Sequence, residues 1–191
     1  MTTLTLTLDP IVDLSDEQFY QLCQINRDIK FERTAAGALI IMPPTGWETG
    51  KRNFSLSGQL WNWVEKNKLG VGFDSSTGFT LPNGADRSPD AAWVKQERLE
   101  TLNPDPAKFL PLAPDFVMEL RSATDNLTTL QAKMEEYRAN GVRLGWLINP
   151  QDQQVEIYRL DQDTEILQSP VRLSGEEVLP GFTLDLSSIL A

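Results

Sequence analysis

Residues 114–125, "PDFVMELRSATD", decide how this chain is read. The segment opens as a buried strand and then sets Glu119 and Arg121 into the apolar run. Ionised side chains taken out of water cost on the order of several kcal/mol unless they are paired or bound to something, so the placement demands a partner or a function. Strand alternation points Phe116, Met118 and Leu120 one way and Val117, Glu119 and Arg121 the other, so both charges share a face near the C-terminal end of the strand.

The segment before it, "SPDAAWV" (residues 88–94), carries Asp90, Ala92 and Val94 on one face, with Trp93 opposite. If the two strands are antiparallel neighbours, Asp90 at the start of one lies beside Glu119 near the end of the other. Two carboxylates at one end of a sheet suit a hard divalent cation, Mg2+ or Mn2+, which prefers oxygen ligands, offsets the repulsion between the acids and makes a bound water more acidic. A nearby cation would orient that water or stabilise charge developing on phosphoryl oxygens. Arg121 is one candidate. Lys133, three residues after Leu130 and four before Tyr137, is the other, at the edge of an apolar helical stripe. Asp115 offers a second Pro-Asp pair, but it lies about 13 Å from Glu119 along an extended chain, too far to share one ion, so Asp90 is preferred.

Outward from this centre, Ser15 and "DEQFYQLCQIN" predict an N-capped helix, and "IKFERTAAGALIIMPP" predicts a hairpin turning at 35–37. "TGWETGKRNFSLSGQLWNWVEKNKLG" predicts a second helix stopped by Gly70. Residues 71–94 read as two strands around the turn "PNGADRS", and "NPDPAKFLPLAP" as a loop. "DNLTTLQAKMEEYRANGV" predicts a helix, with Leu127, Leu130, Met134 and Tyr137 on one stripe and Asn140-Gly141 at its end. "LGWLINP" and "VEIYRL" read as strands, and "LPGFTLDLSSIL" as a closing segment. From residue 48 the order is helix, strand, strand, strand, helix, strand. The first three strands can form an antiparallel meander, and the fourth, returning through a helix, lies parallel to the third. The expected fold class is α/β (α+β): a mixed sheet flanked by helices on both faces, with an N-terminal helix and β-hairpin added. Residues 1–191 read as one domain, divided into 1–44, a core at 45–150 and C-terminal strands at 151–191.

Composition narrows the chemistry. A chain of 191 residues without a histidine and with the single Cys23 can build neither a Ser-His-Asp triad nor a His/Cys zinc site, which leaves carboxylates, Lys, Arg, Tyr, hydroxyls and an oxygen-bound metal. No apolar run approaches the roughly 20 residues that span a bilayer, and the first residues lack a basic-then-apolar leader, so a soluble, cytoplasmic protein without membrane contact is expected. The net charge of −10 would not steer a polyanion to the protein, yet residues 45–150 carry 13 acidic and 12 basic groups, and a local basic face there can meet phosphates.

Together "SPDAAWV", "ELRSATD" and "KMEEYRANGV" ahead of "LGWLINP" resemble the motifs of an endonuclease domain family abundant in cyanobacteria, a branch of the PD-(D/E)XK, restriction-endonuclease-like superfamily. The likeness runs from "DLSDEQFYQL" to "LPGFTLDL". It implies a nuclease core in the order αβββαβ, Mg2+-dependent hydrolysis of phosphodiester bonds in nucleic acid, with DNA the expected substrate, and often a homodimer. Carried onto this chain, Asp90 is the Asp of the motif and Glu119 its second acid. The lysine position two residues beyond that acid is Arg121 here, with Lys133 able to supply the lysine from the following helix. Glu48 resembles an extra helical metal-binding acid. The plainer alternatives are a buried structural ion network for Glu119, Arg121 and Lys133, a turn cap for Asp90, a dipole-favoured helix-start acid for Glu48, core and interface for Trp61 and Trp63, and core for Met134 and Tyr137. At the level of function, the alternative is a catalytically silent, homo-oligomeric binding module that keeps the nuclease fold.

Overall fold

One side of "WETGKRNFSLSGQLWNWVEKN" presents Thr49, Leu56, Leu60, Trp63 and Val64 at helical spacing, and these residues are buried. They belong to the second of the four helices formed by the described residues. The computed structural model of the protein describes residues 3–191. In chain order the elements are β1 (Leu4–Leu6), α1 (Asp16–Ile25), β2 (Lys30–Arg33), β3 (Leu39–Met42), α2 (Trp47–Asn67), β4 (Gly70–Asp74), β5 (Phe79–Thr80), β6 (Asp86–Arg87) and β7 (Ala91–Lys95). They continue with α3 (Gln96–Leu102), β8 (Phe116–Leu120), α4 (Leu127–Ala139), β9 (Leu144–Asn149), β10 (Gln154–Arg159), β11 (Glu165–Gln168), β12 (Arg172–Ser174) and β13 (Thr183–Asp185).

The core is a six-stranded sheet in the order β11-β10-β9-β8-β7-β4. Strands β4, β7 and β8 are successively antiparallel, and β9 lies parallel to β8 after the crossover through α4. This is the meander and return expected from the order of elements, in a mixed α/β fold of the restriction-endonuclease-like kind. Alternation along β8 divides the core in two. Phe116, Met118 and Leu120 pack with Leu56, Leu60 and Trp63 of α2 and with C-terminal residues such as Phe182 and Leu184. Val117 faces the opposite layer, with Ala92, Val94 and Leu147 of the sheet and Met134 and Tyr137 of α4. Glu119, two residues beyond Val117, therefore points towards α4.

The predicted N-cap of α1 is present. Ser15 and Gln18 form a capping box on α1, and the Asn126 side chain accepts from the Thr129 N–H at the start of α4. The structure differs in the segment read as two strands around one turn. Between β4 and β7 the chain leaves the core sheet as the short hairpin β5-β6, which extends the β2-β3 hairpin into a five-stranded sheet in the order β1-β3-β2-β6-β5. The cause is a buried pair: Arg33 Nε donates to Asp86 Oδ2 at 2.8 Å, and Thr80 Oγ1 to Asp86 Oδ1 at 2.6 Å. Such a long-range pairing leaves no periodic trace in either segment. Helix α3 and strand β1 are likewise additions to the expected list, and β11, β12 and β13 lie within residues 151–191, the stretch read as C-terminal strands.

Candidate active site

The register of β7 on β8 pairs Ala91 with Met118, so one further step sets Asp90 opposite Glu119. Asp90 is fastened there: its Oδ2 accepts the Leu120 backbone N–H at 2.8 Å, and its Oδ1 accepts Asn53 Nδ2 of α2 at 3.2 Å. Burial raises the Asp90 carboxyl above its usual range, against the opposing pull of the Leu120 N–H and of the Lys30 and Lys133 charges.

Glu119 is 5% exposed. From α4, Lys133 Nζ approaches Glu119 Oε1 at 2.8 Å and Tyr137 donates its hydroxyl to the same oxygen at 3.0 Å. Residues 133 and 137 are one helical turn apart, which explains why both reach one carboxylate. Burial, followed by the like charges of Asp90 and Glu32, pushes Glu119 up to about 7 in spite of Lys133. The same burial, with Glu119 nearby, keeps the Tyr137 hydroxyl protonated well above its usual range. Burial disfavours the Lys133 charge, but Glu119 and Glu32 outweigh it and hold the ammonium protonated.

Glu32 comes from outside the core sheet, on β2 of the added hairpin. Its Oε1 accepts Lys133 Nζ at 2.8 Å and the Ser88 N–H at 2.9 Å, and its Oε2 accepts Arg87 Nη1 at 3.2 Å. Burial works against its charge, yet Lys133 and Arg87 hold the carboxyl below the ordinary glutamate range. Arg87 bridges onward to Glu136 of α4. Lys133 is thus fixed between two carboxylates, one from each sheet.

Of the residues singled out from the sequence, the structure brings Asp90, Glu119 and Lys133 together and leaves two elsewhere. Arg121 lies beyond the end of β8, and its Nη1 turns to Asp152 Oδ2 at 2.9 Å and Asn149 Oδ1 at 3.2 Å, which ties it to the β9-β10 turn. Glu48 is exposed at the start of α2, paired with Arg52 at 3.1 Å. The α2 side chain at the site is Asn53, which sequence reading passed over. Its signal was its place on the inward stripe, four residues after Thr49 and three before Leu56. Tyr137 was read as core, and Glu32 was not singled out.

Among the described residues no three His, Cys, Asp or Glu side chains cluster so as to hold a metal. A cation would have to take its remaining ligands from neutral oxygens. One is at hand: Asn53 Oδ1 is buried without a hydrogen-bond partner, on the amide that contacts Asp90. Two carboxylates and an amide oxygen form an all-oxygen donor set, which fits Mg2+ or Mn2+.

No protein of curated function matches the sequence. Among solved structures, the fold is similar to the crystal structure of a putative nuclease from Anabaena variabilis, with a TM-score of 0.79 and 19% identity over 93% of this chain and 97% of that one. The sequence matches the profile of a family described as "Putative restriction endonuclease" over residues 16–187. By that match, which takes in the whole six-stranded sheet and all of the site, the chain belongs to the Uma2 family.

Proposed function

We propose that the protein is a Mg2+- or Mn2+-dependent nuclease hydrolysing phosphodiester bonds, with DNA as substrate. One observation carries the reading: Lys133 donates to Glu119 within a buried carboxylate site that Asp90 completes from the neighbouring strand. Asp90 and Glu119 would hold the cation, with Asn53 Oδ1 as a neutral ligand. When bound, such an ion supplies Lewis acidity, lowering the proton affinity of water and offsetting phosphodiester charge.

The remaining work falls to the side chains. Glu32 and Glu119 hold the Lys133 ammonium in one place, where it can orient an attacking water or donate to a phosphoryl oxygen as negative charge builds there. Tyr137 fixes the Glu119 carboxylate, and the Leu120 N–H fixes that of Asp90. Arg121 takes no part, being engaged by Asp152. The catalytically silent alternative draws on the net charge of −10 and on a Glu119 already satisfied by Lys133 and Tyr137.

Incubating plasmid and linear DNA with the purified protein, with Mg2+ or Mn2+ and with chelator, separates the two. The nuclease reading expects cation-dependent nicking or cleavage that Asp90→Asn and Glu119→Gln abolish. Cleavage at the same rate in either variant, or DNA binding indifferent to the cation with no cleavage at all, would overturn it.

A further inference from the structure

Strand β2 brings a second charge to the neighbourhood of the site. Lys30 lies two residues before Glu32 and therefore on the same side of the strand. The two side chains grip one residue between them: Glu32 Oε1 accepts the Ser88 N–H at 2.9 Å, and Lys30 Nζ donates to the Ser88 carbonyl at 3.2 Å. Ser88 stands two residues before Asp90, and the Lys30 charge acts on that carboxyl, opposing the burial that raises it. Among the described residues the Ser88 carbonyl is the one acceptor that Lys30 Nζ meets, and an ammonium has further donors to spare.

Lys30 also lines a cleft of about 500 Å3 between the end of α1, strand β2 and the β4–β5 connection, with Arg27, Ser75, Ser76 and Ser88 around it. That volume is within the range of roughly 300–1,000 Å3 that takes a small-molecule-sized group. The charged side chains on the wall are Arg27, Asp28, Lys30, Asp86 and Arg87. Ion pairs engage Asp86 with Arg33, and Arg87 with Glu32 and Glu136. Among the described residues none engages Lys30 or Arg27, whose guanidinium reaches only Gln24 of its own helix. Two unpaired cations therefore face the cleft against the single acid Asp28, in a chain of net charge −10.

We propose that this cleft holds the backbone of the nucleic-acid strand beside the scissile phosphate, with Lys30 and Arg27 as its phosphate contacts. The proposal rests on the nuclease reading for the class of ligand, and it assigns binding to the added hairpin and α1 rather than to the core sheet. A lysine kept only to neutralise the acidic site would touch a carboxylate, as Lys133 touches Glu119 and Glu32. Lys30 touches a carbonyl instead, which fixes the ammonium without cancelling its charge and leaves it able to meet an anion. Phosphate contacts of this kind set the register of a strand and do not read its bases. Lys30, on the side of β2 that faces Ser88 and Asp90, serves the phosphate nearer the cation site, and exposed Arg27 the one farther out.

Fluorescence anisotropy of a labelled DNA oligonucleotide, titrated with the full chain in Mg2+ and in chelator over a range of NaCl, tests it. Each lost phosphate contact makes the slope of log affinity on log salt shallower by about 0.7–0.9, which at about 0.1 M salt is about a 5- to 8-fold loss of affinity. Lys30→Met should show one such step, the same for unrelated DNA sequences, and Arg27→Gln added to it a second. Lys30→Arg keeps the charge and should keep the slope. Lys95→Met, at the far end of β7 from Asp90, should leave affinity and slope unchanged. Arg27 is exposed, so Arg27→Gln alone reports on the cleft even if Lys30→Met disturbs the fold. A wild type that binds DNA in neither condition, or Lys30→Met and Arg27→Gln proteins with the wild-type slope, would overturn the proposal. DNA binding with these slope changes but no cleavage under any cation would sink the nuclease reading and leave the cleft assignment standing. Cation-dependent cleavage with unchanged slopes would do the reverse.

Discussion

Replacing Glu119 by Gln should stabilise the protein above neutral pH while removing its cation site. Burial, then Asp90 and Glu32, raise this carboxyl from 4.5 to about 7 even with Lys133 at 2.8 Å. An acid whose pKa is higher in the fold than in the unfolded chain binds its proton more tightly when folded. The fold therefore loses stability as pH rises from 4.5, and above about 7 the whole cost is present. At about 1.36 kcal/mol per unit, the gap corresponds to about 3 kcal/mol. Gln keeps an acceptor oxygen for Lys133 and Tyr137, and Lys133 keeps Glu32, so little is lost in exchange. Glu119→Gln should thus match wild type at acid pH and exceed it by about 2–3 kcal/mol at alkaline pH, roughly 4–12 °C in Tm for a chain of this size. Urea unfolding of both proteins in chelator across this pH range measures the difference directly. A Glu119→Gln protein less stable than wild type at alkaline pH, or a difference that does not change with pH, would refute the account of Glu119 as a charge held at a cost.

The same proton competes with the cation. Mn2+ affinity, followed by calorimetry, should rise about tenfold per pH unit up to about 7 and level off above it. Lys133→Met strips Glu119 and Glu32 of their shared partner, and should cost about 3–5 kcal/mol in urea unfolding at alkaline pH and slow single-turnover DNA cleavage by about 10²–10³. Arg121→Ala removes a half-exposed pair with Asp152, costs at most about 1 kcal/mol, and leaves the cleavage rate unchanged. A large rate loss in Arg121→Ala would return the lysine role to residue 121.

Alternation alone placed Glu119 opposite the α2 face and beside Asp90, because a strand offers only two directions and antiparallel pairing fixes which ends meet. Lys133 was legible for a similar reason, since its offsets from Leu130 and Tyr137 set it on the sheet side of α4. Tyr137 shows the limit of that reading. A tyrosine on an apolar stripe counts as core, and it is buried, but its hydroxyl has to find a partner, which here is Glu119. Glu32 was beyond reach: it lies 101 residues before Lys133, on a hairpin whose packing against the core depends on the Arg33–Asp86 pair. Arg121 looked like a site residue because alternation was extended one step past Leu120, where β8 ends and the side chain is free to turn to Asp152. Glu48 is separated from the site by the pitch of α2, which carries Asn53 inward and leaves Glu48 in solvent.

The account rests on Asp90 and Glu119 forming one cation site. Calorimetric titration of Mn2+ into wild type and Asp90→Asn at slightly alkaline pH tests it with no assumption about substrate. Wild type should bind one cation per chain, and Asp90→Asn should bind at least tenfold more weakly, with unchanged circular dichroism. Absence of binding by wild type, or equal binding by Asp90→Asn, would contradict it.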